Sequence, residues 1–331
     1  MKDFTEPEFS IDHSFLTKEE RALLREKSDL KAVWSFIEVW GLTAVIFFVM
    51  AQFPYWFVIL PGIFLLAGRQ LAMGALLHDC SHRCMFTSAK VNDFMGNWFG
   101  GIPNLVSVEF YRPYHFTHHT KAGTKEDPDL KNIEQYPVSK SSMARKFIRD
   151  FSGLSGLKTL AALLFMVNAG RSGDAVAMGV NKLEEQSKKE MIFSTLKNYF
   201  RILVFHGSFF TVLHLLGHAW LYACWWAAFI FVYPWVMRVR QMSEHAALPK
   251  FEDKNCRLMT RSTVPTATNL FERLIFCGNN VNLHLEHHYL STVPGYNLPK
   301  MHKLLDERGF FKGAEYSRES SYFDVIRRAC A

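Results

Sequence analysis

One short stretch, residues 71–82, reads LAMGALLHDCSH and joins the end of a long apolar block to a pair of histidines. His78 and His82 are four residues apart, so on a helix they share one face and can reach a common metal ion. A single pair of this kind is weak evidence for a metal site. The histidine pair follows directly after a segment long enough to cross a membrane, so its interpretation as a metal site depends on how the membrane spans are arranged.

The apolar residues are pooled into two long blocks, with charged residues between them. A bilayer core about 30 Å thick needs about 20 helical residues, so the block at 33–77 is too long for one span and suits two, with a turn at Pro54. The block at about 196–237 suits two more spans, with a break near Gly217. We therefore predict an all-α membrane protein with four transmembrane helices in two hairpins and a cytosolic helical cap that holds a metal site. The predicted spans are 33–52, 56–77, 196–217 and 219–237.

The distribution of Lys and Arg predicts the orientation. These residues are frequent in the N-terminal segment, Arg238 and Arg240 follow the last span, and the two short turns contain neither Lys nor Arg. The positive-inside rule then places both termini and the long central segment in the cytosol. We expect a cytosolic N-terminal segment at 1–32, one main membrane domain at 33–309 and a cytosolic C-terminal tail at 310–331.

The bulk composition narrows the choice of partners. The net charge of +7 suits an anionic lipid surface or an acidic protein partner. No zinc-finger spacing or basic, aromatic-interleaved segment is present, which argues against nucleic acid. The six cysteines contain no CxxC pair, and the first 30 residues are polar, so we expect neither disulfides nor a cleaved signal peptide.

The segment 151–170 is ambiguous because it is nearly apolar, with Lys158 as its one charged residue. If it crossed the membrane, everything after it would change sides. We predict instead an interfacial helix that lies on the bilayer, because an even number of crossings keeps the histidine clusters on one side.

Fourteen histidines are present, and most of them fall into a repeated pattern. HDCSH at 78–82 has the spacing i, i+4, and HFTHH at 115–119 and HLEHH at 284–288 both have the spacing i, i+3, i+4. With four spans all eight lie on the cytosolic side, and His245, just beyond the last span, is a candidate ninth ligand. The predicted ligands are His78, His82, His115, His118, His119, His245, His284, His287 and His288.

The number of candidate ligands predicts two metal ions. One zinc ion needs about four ligands, whereas two irons with four or five ligands each would use all nine imidazoles. If the reaction is the oxidation of an unactivated methylene, it also needs a redox metal and dioxygen, which zinc does not provide. Soluble di-iron proteins use glutamates and Glu-x-x-His pairs, which imidazoles would replace here.

The three histidine motifs resemble the three histidine boxes of the membrane fatty acid desaturase superfamily in order, spacing and placement. The resemblance extends from about Val33 to Gly309, and NVNLHLEHH at 280–288, preceded by SEHA at 243–246, looks like the bacterial-type branch. It implies two iron ions, dioxygen as co-substrate and an external electron donor. The sequence has no nicotinamide fingerprint or iron–sulfur cysteine set, so a ferredoxin or a small b-type cytochrome with its reductase is expected to supply the electrons.

Two positions depart from other branches of the superfamily. Animal acyl-CoA desaturases have an Asn four residues before the histidine that matches His245, and this chain has Gln241 there. Front-end desaturases begin the third box with Gln, and here it begins with His284. The polar residues that we expect to orient the imidazoles are Asp79, Glu244, Glu286, Asn280, Asn282 and Gln241.

The expected reaction is the introduction of a double bond into the fatty acyl chain of a lipid or thioester that enters from the membrane. The candidate tunnel-lining residues are Trp34, Trp40, Phe47, Trp225, Trp226, Phe229 and Phe231. We predict that His206, His214 and His218 do not join the metal site, and that His13 and His302 are surface residues. The alternatives are a hydroxylase or carotenoid ketolase of the same fold, a metal transporter and a zinc hydrolase.

Overall fold

The structure is a computed structural model, and it describes residues 14–167, 188–248, 260–312 and 318–330. His13 lies outside these ranges. The described part is mostly helical, as predicted. Its α-helices are α1 (Lys18–Leu24), α2 (Asp29–Gln52), α3 (Trp56–Ser81), α4 (Ala89–Met95), α5 (Val108–Lys121), α6 (Leu130–Ile133), α7 (Lys140–Phe151), α8 (Leu154–Ala162), α9 (Lys188–Leu215), α10 (Trp220–Ala227), α11 (Tyr233–His245), α12 (Leu270–Phe276), α13 (His284–Tyr289), α14 (Leu298–Glu307) and α15 (Tyr322–Arg328). Two short strands, β1 (Ser262–Thr263) and β2 (Arg318–Glu319), pair in parallel.

The first hairpin consists of α2 and α3, which contain the predicted spans 33–52 and 56–77. Ser28 caps α2 by accepting a hydrogen bond from the amide of Lys31, and the helix ends just before Pro54. With 24 and 26 residues, the two helices are about 36–39 Å long, enough to cross a bilayer core. Large apolar side chains such as Leu30, Trp34 and Trp56 are exposed on their outer faces, where lipid would cover them.

Helix α3 lies at the centre of the fold. Apart from Gly74, every residue from Leu66 to Ser81 is buried. A helix that is surrounded on all sides can be apolar around its whole circumference, which explains its weak amphipathicity. Its C-terminal end, with His78, is therefore fixed by packing on every side.

The second hairpin matches the prediction in part. Helices α10 and α11 are joined by a π-helical turn at Ala228–Val232 and together form a third helix that is long and apolar enough to cross a membrane. Most of the predicted span 196–217 falls in α9, which is 28 residues long. Within the described ranges, α9 is not among the helices that are both long enough and apolar enough to cross a membrane. Helix α9 contains Lys197, Arg201, His206 and His214. The break predicted near Gly217 is present, because α9 ends at Leu215 and Gly217 has a φ of +80°.

The ambiguous segment at 151–170 begins with a break at Gly153 and continues as α8, followed by a π-helical turn to Val167. Its apolar helical part, Leu154–Phe165, is shorter than a membrane span. Asp150 accepts two hydrogen bonds from Arg238 at 2.6 and 2.9 Å, which fixes the start of this segment against α11.

Gly156 is expected to be intolerant of a side chain. A Cβ at this position would overlap the backbone of Ile230, and the backbone cannot easily move. We expect Gly156→Ala to lower the free energy of unfolding by about 1–3 kcal/mol, measured as a lower melting temperature in detergent. Gly207→Ala on α9 is the control, because a Cβ there meets no atom within 4 Å and should not destabilise the protein. Equal melting temperatures for the two variants would contradict the packing of α8.

Candidate metal centre

The structure brings all nine predicted histidines together in two adjoining groups. The five-His cluster consists of His78, His82, His115, His119 and His287, with one nitrogen from each ring lying within 4.8 Å of the others. The four-His cluster consists of His118, His245, His284 and His288 and meets the same distance limit. Four elements that are distant in sequence supply these side chains: the end of α3, α5, the end of α11 and α13.

The i, i+3, i+4 spacing divides each box between the two clusters. On α5, His115 and His119 point into the five-His cluster, and His118 points into the four-His cluster. On α13 the roles are reversed, since His287 joins the five-His cluster while His284 and His288 join the other. Residues four apart share a helix face and neighbouring residues are turned by about 100°, so one helix can serve both clusters.

The two clusters are in direct contact. The rings of His119 and His288 stack with their centroids 4.3 Å apart, although they belong to different clusters. Two metal ions held by these clusters would therefore be neighbours. An arrangement of this kind suits a reaction that uses both ions, and it differs from two independent structural sites.

The nitrogen spacing fits cation binding better than hydrogen bonding. Successive Nε2 atoms lie 2.9 Å apart from His82 to His115, from His115 to His119 and from His119 to His287. Each Nε2 carries one proton or one lone pair, so only alternate nitrogens can donate, and three contacts share at most two protons. Two nitrogens bonded at right angles to one metal, by bonds of about 2.1 Å, lie about 3.0 Å apart.

Carboxylates fix the outer nitrogen of two ligands. Nδ1–H of His78 donates to Asp79 at 2.8 Å, and Nδ1–H of His118 donates to Asp127 at 2.9 Å. A carboxylate can only accept here, so the Nε2 atom of each ring keeps its lone pair for the cluster interior. For His78 that Nε2 atom is buried and has no hydrogen-bond partner among the described residues.

The electrostatics keep the inner imidazoles neutral. Burial, reinforced by the neighbouring imidazoles, lowers the pKa of His115, His119 and His284 well below its ordinary value. Burial also opposes the charged form of His118, but the hydrogen bond to Asp127 and the negative charges of Asp127, Asp129 and Glu244 together outweigh it and raise the pKa of His118. Neutral imidazoles with free lone pairs are the form that binds a metal.

Comparison with known proteins identifies the family. The family model described as fatty acid desaturase matches residues 54–319, which is most of the chain. The chain belongs to the fatty acid desaturase family. Membership makes it an integral membrane protein and an oxidoreductase of the desaturase class, and the family is metal-dependent, which agrees with the two histidine clusters.

Several curated relatives are desaturases at low identity. A dihydrorhizobitoxine desaturase from Bradyrhizobium elkanii is 26% identical over 78% of this chain and 71% of its own length. A Delta(12)-oleate desaturase from Trichosanthes kirilowii is 22% identical over 84% of this chain and 76% of its own length. The fatty acid desaturase 2-like protein FADS2B from Mus musculus is 24% identical over 82% of this chain, which spans 56% of that relative. The names of the first two give different substrates.

The other polar residues predicted around this desaturase site have varied contacts. Glu244 lies 3.6 Å from Nδ1 of His284 and accepts a hydrogen bond from Arg240 at 2.7 Å. The side chains of Asn280 and Asn282 donate to the backbone carbonyls of Gly295 and Thr263. Gln241 is half-buried on α11.

Glu286 and His302 form a buried pair behind the third histidine box. Glu286 is fully buried and accepts from Ser262 and His302. The prediction that His302 is a surface residue is therefore wrong, because its ring packs over α13 with only 14% of its side chain exposed. The contact could not be predicted from the sequence, because His302 lies on α14, which is separated from the third box on α13 by a loop.

Two acids near the centre were missed by the sequence reasoning. Asp127 holds His118, and Asp129 lies 3.6 Å from the same Nδ1 atom. Asp127 also accepts hydrogen bonds from the backbone amides of Gly123 and Asp129, which fix its carboxylate. The sequence signal was the Asp-Pro-Asp run at 127–129, nine residues after His118, in a loop rich in turn residues.

Three histidines lie apart from the clusters, as predicted. His206 contacts Tyr222 on α10, and His214 is exposed on α9. Within the described ranges, the groups of side chains that are able to hold a metal do not include His206, His214 or His218.

A cavity of about 80 Å³ lies beside His78, between α3, the turn before α5, α5 itself and α11. Its lining residues are Leu71, Gly74, Ala75, Leu77, His78, Gly100, Gly101, Asn104, Val106, Tyr111, Tyr233, Met237, Arg240 and Val281. The predicted tunnel aromatics do not line this cavity. Trp34 and Phe231 are exposed, whereas Phe47, Trp225 and Phe229 are buried in the core.

Proposed function

We propose that this protein is a dioxygen-dependent di-iron desaturase that introduces a double bond into a fatty acyl chain of a lipid or thioester. The observation that supports this most is the arrangement of nine imidazoles in two touching clusters, with an apolar cavity beside His78. The names of the relatives agree with desaturation as the reaction type. The desaturation reaction balances as follows: one –CH2–CH2– unit, O2, two electrons and two protons give –CH=CH– and two water molecules.

Imidazole suits iron, and nine imidazoles exceed the needs of one zinc ion. In our proposal the five-His cluster holds one iron and the four-His cluster holds the other. Bound iron would supply, together with dioxygen, the oxidising power that no protein side chain has. The chain itself holds the ligands and fixes the tautomers of His78 and His118 through Asp79 and Asp127. It also keeps bulk water away, because seven of the nine histidines, all except His82 and His245, are buried.

The proposed topology has four crossings in two hairpins, with α9 as the third crossing. The exposed Leu203, Phe210 and Leu215 give α9 an apolar outer face despite its charged residues. In this plan both termini and all histidine boxes lie in the cytosol, at the inner membrane of a bacterium or the endoplasmic reticulum of a eukaryote. The domain bounds remain as proposed: 1–32, 33–309 and 310–331, with Tyr322 of the last segment stacked on Phe276.

Electrons are proposed to come from an external ferredoxin or a small b-type cytochrome with its reductase. The net charge of +7 suits an acidic donor protein, which would dock against the cytosolic cap. Purified donor and reductase added to the desaturase should start product formation, and chemical reductant alone should support it poorly.

Expression in a host with a simple lipid profile tests the function. We expect a new unsaturated lipid, two mass units lighter than its precursor and free of oxygen from ¹⁸O2. Label in the product would instead support the hydroxylase or carotenoid ketolase alternative. The metal transporter alternative is less favoured, since transporters bind metal near the bilayer midplane, whereas these histidines lie at or beyond the ends of the candidate membrane spans.

Asp127→Asn is expected to weaken iron binding and activity by about 10–100-fold, the usual effect of losing the acid behind a histidine ligand. Asp127 orients His118 without contacting the substrate, so the variant should fold and insert normally. The iron content of the purified protein and the yield of unsaturated lipid measure the effect.

The matched control is Asp306→Asn on α14, which removes an acid from an exposed ion pair with Arg318 on β2. It should leave both readouts unchanged. Full iron content in Asp127→Asn would contradict the orienting role of Asp127.

A further inference from the structure

Helices α7 and α8 carry exposed cations that have no acid beside them. Residues 138–167 contain five Lys and Arg residues, and their one acid, Asp150, is buried in an ion pair with α11. Arg145 and Arg149 on α7 and Lys158 on α8 are exposed. In the part of the chain that the structure describes, none of these three cations is paired with a carboxylate. They are therefore available to an anion outside the chain.

Large apolar side chains lie on the same surface as these cations. Ile148, beside the two arginines on α7, is 68% exposed. On α8 and the turn that follows it, Leu154, Leu157, Lys158 and Phe165 are all exposed, and their helical spacing places them on one face. A helix face on which Lys or Arg alternates with Leu, Ile or Phe is typical of a helix that lies in the interface of a membrane.

The contacts of these helices with α11 and the turn before it give their depth in the membrane. Asp150, near the end of α7, pairs with Arg238 at 2.6 Å. On α8, Gly156 lies directly against the backbone of Ile230. Ile230 precedes Arg238 by eight residues, which is about 12 Å further into the candidate span Trp220–His245. Helix α7 therefore lies near the end of the span that is closer to the histidine clusters, and α8 continues towards the acyl chains of the bilayer.

We propose that α7 and α8 bind anionic phospholipids of the leaflet that is closer to the histidine clusters. The lipid phosphates pair with Arg145, Arg149 and Lys158, and the acyl chains cover Ile148 and the apolar face of α8. A water-soluble acidic protein fits this surface less well, because the apolar face extends into the bilayer, where such a protein cannot reach. The inference concerns lipid binding and does not depend on the reaction that the metal centre catalyses.

Native mass spectrometry of the full-length protein in dodecyl maltoside tests the inference, because it counts bound lipids and yields their dissociation constants. The probes are dioleoyl phosphatidylglycerol, which is anionic, and dioleoyl phosphatidylcholine, which has the same acyl chains and no net charge. One Lys or Arg near an anionic surface corresponds to about fivefold in affinity, so three should give a preference of about tenfold or more for phosphatidylglycerol even when salt screens them in part.

The triple variant Arg145→Gln, Arg149→Gln and Lys158→Gln should reduce that preference to about threefold or less by weakening the binding of phosphatidylglycerol alone. All three residues are exposed, so the melting temperature of the variant should match that of the wild-type protein. No preference for phosphatidylglycerol in the wild-type protein would overturn the inference whether or not the variant folds.

The matched control makes the same change of net charge on α14 and α15, through Lys300→Gln, Lys303→Gln and Arg327→Gln at exposed positions. It should keep the full preference. An equal loss in the control would show that only net charge matters and would overturn the inference. The inference would also be overturned if the α7–α8 variant kept its lipid preference but lost affinity for an acidic ferredoxin, since the surface would then belong to a protein partner.

Discussion

Alanine at His287 or at His118 is expected to abolish formation of the double bond, with product falling at least about 100-fold. Each substitution removes one imidazole from a different cluster, His287 from the five-His cluster and His118 from the four-His cluster. Loss of a direct ligand should exceed the 10–100-fold effect that is usual for losing a partner behind a ligand. Unsaturated lipid in the expression host, normalised to the amount of membrane-inserted protein, measures the result.

His214→Ala is the matched control. It removes a histidine of the same type from an exposed position on α9, outside both clusters. Its product yield should equal that of the unsubstituted protein. Substantial activity in either cluster variant, at normal insertion, would exclude the corresponding histidine as a ligand.

Asp93→Ala is expected to destabilise the protein by about 3 kcal/mol, because Asp93 on α4 pairs with the buried Arg112 on α5. Arg112 on α5 is only 6% exposed and donates to the carbonyl of Ser81 at 2.7 Å, at the end of α3. Its guanidinium also pairs with Asp93. Without Asp93 the buried charge has no carboxylate partner, which costs about 3–5 kcal/mol, and the partial exposure of Asp93 favours the lower figure.

Thermal or denaturant unfolding of the purified protein measures this effect. The control is Asp324→Ala, which breaks an exposed pair with Arg327 on α15 and should cost about 0–1 kcal/mol. If the two variants were equally stable, the pair of Asp93 on α4 with Arg112 on α5 would not stabilise the fold as a buried ion pair.

The helices and ligands that local patterns determine could be predicted from the sequence. The first hairpin was predicted almost to its ends, because a long apolar run and Pro54 decide it without reference to the rest of the chain. The histidine spacing predicted that the histidines of a box lie on one side of a helix. The position of His245 just after the last span predicted that it is a further ligand. The structure places it in the four-His cluster.

Features that depend on contacts between distant segments could not be predicted. The division of the second and third boxes between two clusters follows from how α5 and α13 face each other, and the pairing of Glu286 with His302 depends on where α14 packs. The ion pairs of α9 could not be predicted either, since Lys197 and Arg201, which interrupt its apolar residues, pair with Glu109 on α5. An average of hydropathy over a sequence window includes these charged residues but contains no information about their partners in the fold.

Metal analysis of the purified protein tests the central claim most directly. Two touching clusters of imidazoles predict about two iron ions per chain, with a measurable loss of iron in His287→Ala and none in His214→Ala. One zinc ion per chain, or an iron content that does not change when His287 is replaced, would contradict the di-iron centre.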